Sequence, residues 1–447
     1  MSSSRLLFFV SLAALASFAV DFSQCQSAEL RAGIAKIDLT PPLSLKSSLG
    51  GYGDRMNRPA TGVHDRIMAK ALVLTDGHKK FCLLTADALG FAPSVKTAVL
   101  DRLTDKGWTA DNLMMLASHS HTAIEMNALN PLNSFQVPQM GIHNPPLYEL
   151  IMKRLADVVV EAEKTLVPVA IGTSSVELQK WNRNRRIPGG IVDPELTVVR
   201  IDRLDGKPFA VFVNWTAHPT FMGSEDMWFS GDYPGHLQRT LEALIGEGEV
   251  AMFCNGAEGD QSTIARPDSG DSHYEKAERY GRELGIAAWH VWQKTSTARN
   301  IPFASWREEI TLPKRQWHPN FAETGGKEYG LTEDLLREML PKLWPTKTAS
   351  LSLRVGDLVV VGIPGELCTQ KGLEIKQRTR EITGAQHPII GGLADEWIGY
   401  IIPIEQYKMG QYEASMSFYG PTLIDVIVTG AVKGVEHLQG RQLSAKP

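Results

Sequence analysis

The chain has 447 residues, 43% of them hydrophobic and 21% charged, an ordinary globular composition that excludes a disordered, collagen-like or coiled-coil protein. Its 46 basic and 50 acidic residues leave a formal charge of −4, which provides no electrostatic footprint for nucleic acid. The four cysteines, at 25, 82, 254 and 368, form no Cys-x-x-Cys pair, so neither a zinc knuckle nor a disulfide framework is indicated.

A charged start at Arg5, the apolar run from Leu6 to Val20 and small residues at Ser17 and Ala19 read as a secretory signal peptide within 1–28. The cleavage point stays open, between Ala19 and Ala28. The alternative is an uncleaved anchor, although the run is short of the ~20 residues that span a bilayer. Export, periplasmic or secreted, is the expectation. Phe81-Cys82-Leu83 and Phe253-Cys254 are apolar, which favours buried free thiols over bridges.

Beyond the leader, strand-like and helix-like segments alternate. Ala71–Thr75 and Phe81–Ala86 read as paired strands around Asp76-Gly77, Ser94–Leu103 as a helix and Leu113–Ala117 as a buried strand. Leu147–Leu166 carries apolar residues at helical spacing. A second hairpin joins Thr197–Ile201 to Phe209–Val213 across Asp205-Gly206. Helix Pro234–Leu244, strand Val250–Phe253 and helix Tyr274–Gln293 follow. A third hairpin joins Leu351–Val355 to Leu358–Gly362, and helix Pro421–Leu438 closes the chain. The alternation predicts an α/β fold with layered mixed β-sheets flanked by helices and the active site on loops at strand ends. One large domain over 29–447 is expected. Residues 314–348, polar, rich in Pro and Trp and containing Gly325-Gly326, read as an insertion or lid.

Four strand ends carry chemistry. Leu113–Ala117 runs into Ser118-His119-Ser120-His121-Thr122, and an extended His-x-His would point both imidazoles to one face, a common start for a zinc site. The alternative is a hydrogen-bonded pair. Phe209–Val213 leads to Thr216-Ala217-His218-Pro219, where proline forces a turn; a loop histidine bonded to backbone is the plainer reading. Val250–Phe253 leads to Asn255-Gly256-Ala257-Glu258-Gly259-Asp260-Gln261-Ser262, whose glycines allow close approach to a ligand, or simply a tight turn closed by Asp260. Leu358–Gly362 leads to Pro364-Gly365-Glu366, with Glu366 opening a helix as either a metal ligand or a dipole partner. Two histidines and a glutamate suit zinc with an open position.

In this order the segments resemble the N-terminal catalytic domain of the neutral/alkaline non-lysosomal ceramidases. The opening Arg31-Ala32-Gly33-Ile34-Ala35-Lys36-Ile37-Asp38-Leu39-Thr40-Pro41-Pro42, then Gly50-Gly51-Tyr52-Gly53 and Gly62-Val63-His64-Asp65 with Ala69-Lys70-Ala71, carry the same resemblance, from about residue 31 to about 435. It implies a zinc amidohydrolase that splits ceramide or a related N-acyl lipid, and is compatible with peripheral contact with a membrane surface. By motif, the resemblance makes His119, His218, Glu366 and Tyr400 the zinc ligands, His121 a substrate-side residue, Ser262 the active-site serine, Arg183 a neighbour of the scissile group and Tyr412 a further site tyrosine. Zn2+ is the implied cofactor.

The chain departs from the family pattern in three segments. His-x-His continues Thr-Ala-Ile-Glu125 without the usual Gly-Pro, no proline follows Ser262, and Asn182-Arg183 continues Asn-Arg-Arg. The immunoglobulin-like C-terminal domain of typical ceramidases is expected to be absent. Two other readings stay open: a metal-independent serine hydrolase pairing Ser262 with His119 or His121, and a non-catalytic exported binding protein on the same fold. Trp215, Phe221, Met222, Trp228, Phe229 and Trp397 either line a lipid groove or belong to the core. Oligomeric state and protein partners are not legible.

Overall fold

The computed structural model describes residues 29–246, 248–265 and 270–443; the expected signal peptide, 1–28, with Cys25, lies outside them. Two mixed sheets face one another. The larger is built from β1 (Arg31–Asp38), β2 (Met68–Thr75), β3 (Lys80–Ala86), β4 (Leu113–Ala117), β5 (Val167–Glu177), β6 (Glu195–Arg203), β7 (Pro208–Trp215) and β8 (Val250–Asn255), in the order β8-β7-β6-β5-β1-β2-β3-β4. The smaller is β9 (Phe303–Thr311), β10 (Lys347–Val355), β11 (Leu358–Gly362) and β12 (His387–Gly391), in that order. Each of the three expected hairpins forms as an antiparallel pair, with Leu74 opposite Phe81, Val198 opposite Val213 and Val355 opposite Leu358. The pairs β3–β4, β7–β8 and β11–β12 are parallel, which makes both sheets mixed.

Side-chain alternation explains the layering. On β2, Leu72 and Leu74 point between the sheets, where they meet Met114, Leu116, Phe212, Leu353, Val360 and Ile389. Ala71 and Val73 point the other way, onto the helix Pro145–Lys164. On β11, Leu358 and Val360 face the larger sheet, while Val359 and Val361 face the helices Thr369–Thr383 and Leu423–Leu443. Helices Asp232–Ile245 and His273–Lys294 cover the β7–β8 end of the larger sheet. Both sheets are therefore buried on two faces. That is why their strands read as continuous apolar runs rather than alternating ones.

Helix boundaries follow their caps. Helix Pro145–Lys164 starts two residues before the apolar pattern, because Asn144 accepts from the Leu147 N–H and Pro145 supplies a pre-set first turn. Helix His273–Lys294 opens on a capping box between Ser272 and Glu275. Strands β1, β5, β9 and β12 were not among the expected elements, and the helix expected to open at Glu366 spans Thr369–Thr383. β9, for example, alternates apolar residues with Glu308 and Glu309, so its apolar signal is weak. The segment 314–348 is packed rather than loose. It contains the helix Glu333–Leu343, capped by Thr332, and it buries Phe321, Leu336, Met339 and Leu340 completely or nearly so. Cys82, Cys254 and Cys368 are buried free thiols.

Leu116 is fully buried between the sheets, and its side chain lies against Gly391 of β12. Leu116→Ala should cost about 2–5 kcal/mol, seen as a lower thermal unfolding midpoint without a change in far-ultraviolet circular dichroism of the folded state. An unchanged midpoint would mean that the two sheets do not share this core.

Candidate metal centre

The carboxyl ends of β4, β7, β8, β11 and β12 are stitched together, so the loops beyond them meet. Asn214 donates from Nδ2 to the Ile390 carbonyl at 3.0 Å, the Gly392 N–H donates to Asn255 O at 2.9 Å and the Asp395 N–H donates to Met115 O at 2.7 Å. Each bond links the larger sheet, or the loop above it, to the chain around β12.

His119, His121 and His218 lie in those loops, each offering a ring nitrogen within 4.8 Å of the others. His119 Nδ1 is 2.6 Å from Leu89 O, and His218 Nδ1 is 2.7 Å from Glu258 O. A carbonyl can only accept, so each Nδ1 carries a proton, and the neutral form of each ring has its lone pair at Nε2. Those lone pairs converge on one carboxylate oxygen: Glu366 Oε2 is 2.9 Å from His218 Nε2 and 3.4 Å from His119 Nε2. Burial, followed by the charge of Arg185, pushes the His218 imidazole down to about 3, so it is neutral in ordinary buffer. Acceptors facing acceptors at this range repel unless a cation lies between them. The donor set thus fits a divalent metal, with nitrogen and oxygen ligands and the other imidazole nitrogens bonded behind them.

The surroundings hold this set in place. The indole N–H of Trp397 donates to Glu366 Oε1 at 2.8 Å and leaves Oε2 facing the histidines. Glu366 does not open a helix, contrary to the sequence expectation. It starts a two-residue strand paired in parallel with Tyr400–Ile401, Glu366 opposite Tyr400, and the helix begins at Thr369. That pairing brings the Tyr400 hydroxyl 3.5 Å from His218 Nε2. Arg185 donates to the same hydroxyl at 2.8 Å, and is itself held by Glu413 at 3.0 Å.

His119 and His121 converge, though not by strand pleat. β4 ends at Ala117 and His119 has φ +72, a left-handed backbone uncommon outside glycine and found at functional loops. The rings are near-perpendicular, at 86°, with Nε2 atoms 3.4 Å apart. Gly51, at φ +92, makes room behind: a Cβ there would lie 2.2 Å from His121 Nδ1. The Gly256–Ser262 turn approaches its own chain as well as His218. A Cβ on Gly259 would lie 2.6 Å from Glu366 O, so the glycine serves close packing against the carboxylate strand.

Two expected residues stand apart from the centre. Arg183 is exposed on a three-residue strand, opposite Ser262. The strand stops at Asn184, whose Oδ1 accepts from the Arg186 and Ile187 N–H groups and turns the chain. The arginine that reaches the centre is therefore Arg185, which the sequence reading passed over. Ser262 is half-buried and bridged through its backbone to His218. Among the described residues its hydroxyl makes no hydrogen bond to His119 or His121, and it does not line the adjoining cavity.

That cavity, about 90 Å³, is bounded by His119, His121, Glu366, Tyr400 and Tyr412 at the histidine end. The Tyr412 hydroxyl is 3.0 Å from that of Tyr329. Leu89, Met126, Met140, Trp344, Trp397 and Phe418 make much of the remaining wall apolar. Of the six residues considered for a lipid groove, only Trp397 lines it. Trp215, Met222 and Phe229 are core, and Trp228 is 48% exposed on the surface. Tyr329, Leu331, Leu343 and Trp344, all from 314–348, also line it.

The family described as neutral/alkaline non-lysosomal ceramidase, N-terminal, matches residues 30–273 and 335–429. Neutral ceramidase B of Dictyostelium discoideum is 24% identical, over 85% of this chain and 68% of its own length. Neutral ceramidase of Pseudomonas aeruginosa is 21% identical, over 88% and 69%. The crystal structure of the neutral ceramidase from Pseudomonas aeruginosa superposes with a TM-score of 0.77 at 19% identity, covering 93% of this chain and 75% of that one. The fold is the same.

If the convergent acceptors hold an ion, His218→Ala should lower bound divalent metal from about one per chain to near none, read by elemental analysis after dialysis. Metal retained at the parent level would show that these side chains do not ligate it.

Proposed function

The chain belongs to the neutral/alkaline non-lysosomal ceramidase family, and on that premise we propose that it is an exported zinc amidohydrolase cleaving the N-acyl bond of ceramide or a related N-acyl lipid. The observation that carries the reading is the convergence of two imidazole Nε2 atoms on one carboxylate oxygen beside an apolar cavity.

His119, His218 and Glu366 would hold the metal, with the Tyr400 hydroxyl as a fourth group. When bound, zinc supplies Lewis acidity, polarising the amide carbonyl and making water nucleophilic near neutral pH. The chain's own residues do the rest. Trp397 fixes the carboxylate, while Leu89 O and Glu258 O fix the imidazole tautomers. Arg185, held against Tyr400 and Glu413, puts a positive charge behind the Tyr400 hydroxyl, from where it would favour negative charge gathering on the carbonyl oxygen. His121 presents Nε2 toward the same space and is suited to take a proton from the attacking water and return it to the departing amine nitrogen. The C–N bond breaks, a C–O bond to the water oxygen forms, and a carboxylate and an amine leave. The apolar walls receive the acyl chain, with the segment 314–348 closing one side.

The test is hydrolysis of a panel of N-acyl amides by the purified protein. A chelator should abolish turnover and added Zn2+ should restore it. Arg185→Gln should lower kcat by about 10²–10³-fold, the scale of losing one oxyanion-stabilising group, whereas Arg183→Gln should stay within about twofold, as expected of an exposed side chain. Chelator-resistant turnover together with covalent labelling of Ser262 by an acyl-transfer inhibitor would overturn the metal assignment in favour of a serine nucleophile. One metal per chain without hydrolysis of any member of the panel would point to a binding protein.

A further inference from the structure

A second group of metal-ligating side chains lies outside the centre described above. His64, Asp65 and His236 each offer a donor atom, and the three atoms lie within 4.8 Å of one another. His64 and Asp65 follow the two-residue strand Gly62–Val63, which pairs in parallel with Trp228–Phe229, and Phe229 O accepts from both of their N–H groups. His236 comes from the helix that starts three residues beyond Phe229, at Asp232. His64 Nδ1 is 3.0 Å and His236 Nε2 is 3.5 Å from the same oxygen, Asp65 Oδ2. Two bonds of about 2 Å at the tetrahedral angle put ligands about 3.3 Å apart, which lies between these two spacings.

The carboxylate is held in place for such a role. Oδ1 accepts from the Gly231 N–H at 3.0 Å and from Arg239 at 2.9 Å, and Oδ2 accepts from the Ser230 hydroxyl at 2.5 Å. Donors on both oxygens favour the ionised form, and Oδ2 has a second lone pair to share with the imidazoles. His236 is 8% exposed. Its 3.5 Å contact with Asp65 is at the outer limit of a hydrogen bond, yet Nε2 has no nearer partner among the described residues. His64 stacks on Tyr274 and is partly open to solvent, so an ion can enter and keep water in its remaining position. Arg239 adds a positive charge beside the far oxygen, which weakens the site relative to the buried centre. Ser230 connects the group to the histidine loop: its N–H donates to Thr122 O at 3.1 Å, and its carbonyl accepts from the Ser120 and Thr122 hydroxyls at 2.8 and 3.2 Å.

We propose that His64, Asp65 and His236 form a second, weaker site for a divalent transition metal such as Zn2+, in which the ion ties the segment 62–65 to helix Asp232–Ile245 and, through Ser230, braces the loop that carries His119 and His121. Two imidazoles and one carboxylate suit such an ion better than Mg2+ or Ca2+, which take oxygen ligands. The inference stands apart from the amidohydrolase reading, because binding here needs neither substrate nor turnover.

The experiment is equilibrium dialysis of the full chain against stepwise increases in free Zn2+, with bound metal read by elemental analysis. The parent should take up one equivalent beyond any that survives dialysis into metal-free buffer. His236→Gln and, separately, Asp65→Asn should each lose that weaker equivalent and nothing else. Unfolding midpoints in chelator check that each variant is folded, and His64→Ala, at a partly exposed position, replaces one that is not. Added Zn2+ should raise the parent's midpoint further than that of any variant. Co2+ in place of Zn2+ provides a second readout: the visible absorption gained with the weaker equivalent should vanish in the variants. No further equivalent in the parent overturns the inference. So does one that persists in the variants, which would place the ion elsewhere, as at the more exposed Glu225, Asp226 and His273. Because parent and variant are compared directly, the outcome is the same whether or not the centre beside the cavity holds metal.

Discussion

Two imidazole nitrogens and a carboxylate oxygen are held facing one another inside a buried pocket. Left alone, the arrangement is electrostatically unfavourable, because burial removes the water that would otherwise separate the lone pairs. It persists because every outward-facing atom of the three groups is tied to something rigid: Leu89 O, Glu258 O and the Trp397 indole. The protein therefore bears the cost of positioning during folding rather than during binding, and a cation entering the site finds its ligands already oriented. A bond from the far ring nitrogen decides which imidazole nitrogen is available, and here it makes the same choice at both histidines.

The two sheets make this possible. Each site residue comes from a different strand end, and the separations along the chain are long, from His119 to His218 and on to Glu366. Only the packing of β11 and β12 against the larger sheet, through Leu116, Val360 and Ile389, brings the Glu366 loop to the histidines. The core between the sheets is thus also the frame of the centre, and bonds such as Asn214 to Ile390 O set the alignment of one sheet on the other.

Much of this was legible in the sequence, and the failures have physical causes. Strands buried on both faces produce unbroken apolar runs with turn residues between them, so the three hairpins and the principal helices were readable. β9 was not, because its pattern mixes Glu308 and Glu309 with apolar residues. His119, His218 and Glu366 could be singled out as candidates because strand ends concentrate chemistry. The choice of Arg183 over Arg185 failed because the Asn184 turn depends on a side-chain bond to the backbone, which motif spacing does not reveal. The aromatic residues near the motifs proved mostly to be core, since a large apolar side chain beside a site is as useful for packing as for binding. Tyr329, Leu331 and Trp344 line the cavity from a segment that reads as polar, because only its buried face reaches inward.

Glu366 and Tyr400 occupy opposite positions on a two-rung parallel ladder, whereas His121 arrives on the loop beyond β4 that also carries His119, against Gly51. The first two behave as a single rigid jaw: slipping either strand by one residue would break the pairing and separate the two side chains. The imidazole opposite is mounted separately and can shift without disturbing that jaw. Drift among descendants of this sequence should therefore gather on the His121 side of the pocket, where geometry can change in small increments, and leave the paired rungs untouched.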